Sequence, residues 1–306
     1  MPAAVVRLDG VELRPSGEQH EIAFADQRAM VTEVGATLRE YSVAGRQVIE
    51  GFGPGEVCSG GRGQVLVPWP NRVRDGSYEF GGTRHQLAQS EPERHNAIHG
   101  LVRWVPWRLL DRAPDRVQLG FTIHPQPGYP FTVVLSIRYA LAEAGLRVSL
   151  LARNRGEAAA PFGAGQHPYL RPAGGSIDGA QLRVPARSHI ELDQRLIPTG
   201  RLLSVSGGPL DYREQRPVDA TALDTCFTDF SEPYVELDGT RLWWDALHHY
   251  VQLFSGDTLD PGRRRTGLAV EPMSCPPDAF NSGTGLVILA PGGEWSGSWG
   301  ITPGPI

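Results

Sequence analysis

The chain has 306 residues, long enough to bury a sizeable apolar core in one large β domain or two ordinary domains. Its 29 Lys and Arg against 34 Asp and Glu give a formal net charge of −5 from interspersed signs, which argues against a nucleic-acid partner, whose phosphates need clustered cations. The cysteines Cys58, Cys226 and Cys275 are far apart and form no Cys-x-x-Cys pair, so neither a disulfide framework nor a thiolate zinc site is indicated, and a reducing compartment fits.

Met1–Asp9 lacks a charged region followed by a long apolar stretch, and no window reaches the length of a membrane span. A cytoplasmic location without a membrane partner is therefore expected. Frequent Gly and Pro cut the chain into short segments with little room for long helices. Gly51-Phe52-Gly53-Pro54-Gly55 and Gly60-Gly61-Arg62-Gly63 have neither the spacing of a phosphate-binding loop nor a following helical period, and they read as turns. In Pro68-Trp69-Pro70-Asn71-Arg72-Val73 two prolines fix an extended approach and deliver a guanidinium beside an aromatic ring. Gly81-Gly82 separates two short runs and predicts a hairpin. The two imidazoles of His95-Asn96-Ala97-Ile98-His99-Gly100 are four apart, as in a helical zinc motif. The motif's Glu is missing, though, and Pro92 and Gly100 break any helix, so a turn with one His facing a pocket is expected and no metal.

Val117, Leu119, Phe121 and Ile123, then Val133, Leu135, Ile137 and Tyr139, then Leu146, Val148 and Leu150 recur at every second position. That period predicts half-buried strands, with a turn at Ala144-Gly145. Gly163-Ala164-Gly165-Gln166-His167-Pro168-Tyr169-Leu170 surrounds a histidine with small residues and stiffens the backbone after it, leaving the imidazole open to a ligand; a histidine satisfied within the core is the alternative. Asp224 and Asp229 bracket an apolar stretch in which turn or capping roles explain either one. Arg263-Arg264-Arg265 reads as a solvated loop. In Gly267-Leu268-Ala269-Val270-Glu271-Pro272 an apolar strand ends in a carboxylate and passes into a proline-stiffened loop. Partial desolvation there raises the proton affinity of Glu271 toward the range of a base near neutrality. Leu286–Leu289 and the alternation of Trp295, Gly297, Trp299 and Ile301 complete a chain of strands. With no strand–helix alternation, repeat or linker, one antiparallel β-sandwich domain over residues 1–306 is expected.

Taken in order, Asn71-Arg72, Asn96-Ala97-Ile98-His99-Gly100, His167-Pro168-Tyr169, Asp224, the Glu271 strand with Pro277-Asp278-Ala279-Phe280-Asn281, and Trp299-Gly300-Ile301 resemble the motifs of the aldose 1-epimerase (galactose mutarotase-like) family over most of the chain. The resemblance implies an all-β supersandwich with a small-molecule sugar in an open cleft and no metal or cofactor. It assigns Glu271 as base, His167 as acid, and Arg72, His99 and Asp224 as contacts to sugar hydroxyls, with Asn71 beside them. Trp69 and Phe280 are expected to pack on the C–H face of the sugar. Leu101 and Thr225 stand where the best-known branch has a glycine and a histidine, and Val270-Glu271-Pro272-Met273 resembles a divergent bacterial branch that includes sulfoquinovose-type mutarotases. Two other activities fit the same residues: a non-catalytic carbohydrate-binding sandwich, and a glycosidase using Glu271 and Asp224 as paired carboxylates. Self-association is left open by the sequence.

Overall fold

The computed structural model describes residues 6–8 and 11–305, with side chains from residue 14 onward. Most of the N-terminal segment Met1–Asp9 and the last residue, Ile306, lie outside the described residues. The alternating runs form a nine-stranded antiparallel sheet. Val133–Ala142 and Gly145–Asn154 switch between buried and exposed nearly residue by residue, and Tyr139 faces Val148 while Ile137 faces Leu150 across the pair. The last strand, Glu294–Thr302, does not lie at an edge. It is inserted in the middle of this sheet, between Gly145–Asn154 and Thr240–Trp244.

The second large sheet runs Pro198–Ser204, Ala186–Leu192, Asp224–Phe230, Tyr250–Phe254, Leu268–Met273, Gly165–Gln166 and Val65–Leu66. Apolar side chains from both sheets and from the four-stranded sheet of Gln19–Gln47 join one buried core that runs from Ile22 to Ile301. Among the described residues the helical turns are the single turn Ala279–Ser282 and the 3-10 turn Pro92–Arg94. The architecture is the antiparallel all-β sandwich that the alternation predicts.

Two local differences have physical causes. The turn expected at Ala144-Gly145 falls one residue earlier, because Ala142 already pairs with Gly145. Gly145 has φ +112°, and a β-carbon there would stand 2.1 Å from the Ile301 carbonyl oxygen, so the neighbouring strand requires glycine. The strand expected to end at Glu271 continues through Pro272 to Met273. On one side it is paired by two short pieces, Tyr169–Leu170 at one end and Gly165 at the other, with His167-Pro168 between them. Pro272, which has no N–H to donate, lies in that break in the ladder, where its missing donor costs little.

Candidate active site

Antiparallel register brings the two chemically active groups together. Gly165 pairs with Met273, so His167 lies opposite Glu271 on the same face of the sheet. His167 Nε2 is 3.2 Å from Glu271 Oε1, and the side chains are only 6% and 2% exposed. Burial, and then the charge of Asp224, holds the Glu271 carboxyl well above the usual carboxylate range, although Arg72 and Arg103 pull it down. Burial and Arg103 push the His167 imidazole down to about 3. Both shifts favour the uncharged pair, in which one proton is shared between nitrogen and oxygen. His167 Nδ1 and Glu271 Oε2 are buried and make no hydrogen bond within the protein. A buried polar atom left in that state costs about 1–3 kcal/mol, which a polar ligand would recover.

The imidazole stacks on Tyr169 at 5.1 Å and 13°, and that tyrosine ring is itself covered by the buried Arg62 guanidinium, 4.8 Å from its centroid. Gly61, at φ +73°, brings the chain so close that a β-carbon would sit 2.8 Å from His167 Cδ2.

His99 and Arg72 come from a separate short ladder, in which Ile98 pairs with Arg72. His99 is buried and its ring meets that of His167 edge-on at 5.4 Å. The Asn71 backbone N–H donates to His99 Nδ1 at 3.2 Å. Burial, with Arg103 next, lowers the proton affinity of His99 far below its usual value, so the ring is neutral. With Nδ1 accepting, the ring proton is on Nε2, and His99 acts as a donor. The ligating atoms of His99, His167 and Glu271 lie within 4.8 Å of one another, a grouping that resembles a metal site. The Nε2 proton of His99 and the nearby Arg72 and Arg103 guanidinium groups suit a cation poorly.

Asp224 is half-buried and accepts a 2.6 Å bond from Gln252 Nε2, while Gln252 is the cross-strand neighbour of Glu271. Burial raises its carboxyl as well, against the pull of Arg72. Asp229 is exposed, with φ +56°, in a turn-like conformation. His95 is likewise exposed and left-handed, so of the His95/His99 pair only His99 joins the site.

Three expected sugar contacts have other occupations. Trp69 and Phe280 pack edge to face at 5.6 Å, Phe280 also meets Tyr78 at 4.9 Å, and both rings belong to the hydrophobic core. Their apolar surface is consumed by packing, which corrects the expectation that they cover the C–H face of a sugar. Asn71 works within the protein: its backbone clamps His99, and its Oδ1 accepts from the Arg72 N–H at 3.0 Å. Sequence reasoning passed over Arg62, Glu91, Arg103 and Gln252. A glutamine in the apolar strand Tyr250-Val251-Gln252-Leu253-Phe254 was a readable signal. For Glu91, between Ser90 and Pro92, nothing local distinguishes it, because its partner Arg72 is 19 residues away.

Two sheets in this arrangement, with an imidazole–carboxyl pair on the face of one sheet opposite to Leu268 and Val270 of the core, make a galactose mutarotase-like sandwich. The GalM/aldose epimerase homologue of C. elegans superposes with a TM-score of 0.82 at 18% identity, covering 93% of this chain and 98% of the other. Residues 19–302 match the family model Aldose 1-epimerase, and the chain belongs to that family. It is 35% identical over 290 residues, 90% of each chain, to the uncharacterized protein YihR of Escherichia coli K12. To human galactose mutarotase it is 30% identical over 169 residues, 51% of this chain and 46% of the other. The family supports epimerase chemistry on carbohydrates. Among the described residues no helix is long and apolar enough to cross a membrane.

Proposed function

We propose that this chain, acting as a single β-sandwich domain, interconverts the α and β anomers of a free aldose, with Glu271 as base and His167 as acid. The observation that carries the reading is the 3.2 Å approach of His167 Nε2 to Glu271 Oε1 in a buried setting. The C1 hydroxyl and the ring oxygen of a pyranose are bonded to the same carbon, so a donor and an acceptor this close together serve both. Glu271 takes the C1 hydroxyl proton as His167 protonates the ring oxygen. The C1–O5 bond breaks and C1 becomes an aldehyde. The pair enters this step as carboxylate and imidazolium, its shared proton having moved onto His167 Nε2 as the sugar takes over the direct contact, and leaves it as carboxyl and imidazole, so its proton count is unchanged. Rotation about C1–C2 presents the other carbonyl face, and the reverse transfers close the ring as the other anomer. General acid–base groups of this kind each contribute about 10²–10⁴ in rate.

His99 Nε2–H and Arg72 donate to sugar oxygens, and Asp224 accepts from hydroxyls. With Trp69 and Phe280 in the core, Trp104, 55% exposed and under the Arg103 guanidinium at 5.8 Å, is the aromatic ring open to a sugar. The Arg103 guanidinium, which donates to the neutral acceptors Gln64 Oε1 and the Ile98 carbonyl, favours an aldose bearing an acidic group at C6 over a neutral one.

The test is polarimetric: decay of the optical rotation of fresh α-anomers of neutral, C6-sulfonated and C6-phosphorylated aldoses. Glu271→Gln and His167→Asn should each lose the acceleration while still binding sugar. Wild-type decay in Glu271→Gln would remove the assignment. Saturable binding without any acceleration would mark a carbohydrate-binding protein, and release of nitrophenol from nitrophenyl glycosides would mark a glycosidase.

A further inference from the structure

The guanidinium of Arg72 is gripped from behind. Its Nε and Nη2 donate to the two carboxylate oxygens of Glu91 at 2.8 and 2.9 Å, while Nη1 donates to Asn71 Oδ1 at a longer 3.3 Å. Fork-to-fork pairing fixes both the plane and the direction of a guanidinium, which a single contact does not.

Glu91 is itself buried, at 6% exposure, and a dedicated loop holds it there. Glu91 and Asn96 exchange backbone hydrogen bonds of 3.0 and 3.1 Å, which close the loop around the 3-10 turn Pro92–Arg94 and the left-handed His95. Asn96 Nδ2 and Arg94 Nη1 each donate to the carboxylate at 3.1 Å. Arg195, from a different part of the chain, ties the loop down through the Arg94 and His95 carbonyls at 2.9 and 3.0 Å. A buried ion pair contributes little net stability compared with well-packed apolar residues, so its specific geometry calls for a use beyond folding.

We propose that Glu91 is a positioning residue that acts through Arg72: it fixes the guanidinium so that its Nη1 edge is turned to the sugar, and it offsets the guanidinium charge beside the His167–Glu271 pair. The inference rests on the mutarotase reading of that pair. The charged and titratable groups facing Glu271 are His167, Tyr169, and Asp224 and Cys226 of the strand Asp224–Phe230, all from its own sheet, with Arg72 from the short ladder with Asn96–Ile98 and His99 and Arg103 from the segment beyond it. Those facing Glu91 are Arg72 and Arg94, with Asp224 farther off. Without the Glu91 charge, Arg72 and Arg103 are balanced by Asp224 alone. The added positive field makes every proton on the catalytic pair easier to lose, so both limbs of the pH–rate profile move to lower pH.

The experiment measures kcat and KM against pH by polarimetry for wild type, Glu91→Gln, Glu91→Asp and Glu271→Gln. Glu91→Gln keeps the shape and one acceptor but loses the charge. Its limbs should move to lower pH by on the order of half a unit, with KM raised about tenfold and kcat at its own optimum within about threefold of wild type. Glu91→Asp retains the charge but withdraws it, so KM should rise with the limbs in place. A carboxylate needed only for folding would lower the melting temperature and leave the limbs unmoved. A folded Glu91→Gln variant with wild-type limbs overturns the proposal. If Glu91→Gln does not fold, a wild-type KM in Glu91→Asp overturns it instead. Wild-type activity in Glu271→Gln would remove the mutarotase reading itself, whereas an inactive Glu271→Gln with unmoved limbs in Glu91→Gln removes this inference alone.

Discussion

His167 and Glu271 occupy positions where a charge is costly, and the two respond to pH in opposite senses. The unfolded chain takes up a proton at a histidine below its usual 6.5, but folded His167 does so only near 3, so stability is lost as pH falls through that window. Folded Glu271 keeps its proton above the usual 4.5, where the unfolded chain releases it, so stability is also lost as pH rises from 4.5 toward its raised value. Glu271→Gln should therefore be inactive yet more stable at pH 7, by about 0.5–2 kcal/mol in urea denaturation, with a flatter pH dependence above 4.5. Equal or lower stability would contradict the strained state assigned to the carboxyl. In activity, the pair needs its single shared proton. The acid limb of the rate profile should thus lie low and the alkaline limb well above the carboxylate range, and Asp224→Asn should lower the alkaline limb by removing a charge that retains that proton. Gly61→Ala places a methyl group against the imidazole and should reduce kcat by on the order of tenfold or more while the far-ultraviolet circular dichroism stays unchanged.

At the scale of elements, what was legible in the sequence followed periodicity, and what was hidden depended on distant partners. The every-second-residue runs at Val117–Ile123, Val133–Tyr139 and Leu146–Leu150 lie within the strands observed. The hairpin at Gly81-Gly82 has both glycines at positive φ, 59° and 73°, as a two-residue turn requires. Glu271, His167, His99 and Arg72 stood out locally by what surrounds them, a strand end, small residues and prolines, whereas Asp224, which a turn or cap explains equally well, was singled out only by the family resemblance. Trp69 and Phe280 misled because an aromatic beside a site motif looks the same in sequence whether its ring faces a ligand or the core. The end of the Glu271 strand was misplaced because Pro272 normally stops a strand, and only the break between Gly165 and Tyr169 on the adjoining pieces lets it continue. Gly145→Ala tests the strand contact that replaced the expected turn. It should destabilise by about 2 kcal/mol or more, because no L side chain relaxes at φ +112° against the Ile301 carbonyl.

Across the whole molecule, the residues around the pair come from segments near 62, 72, 99, 167, 224, 252 and 271, so the site depends on contacts that are remote in sequence. Such pairings form late and slowly. The strand Glu294–Thr302 extends this dependence to a segment more than 120 residues beyond His167. It is the middle of the nine-stranded sheet, and the Trp299 indole N–H donates at 3.1 Å to Gln166 Oε1, the neighbour of His167. A variant ending before residue 294 should have no measurable activity and an expanded radius in size-exclusion chromatography, not a partial rate. That one strand is both the seam joining the two halves of a sheet and the prop behind the proposed acid, so a lesion there reaches architecture and chemistry at once.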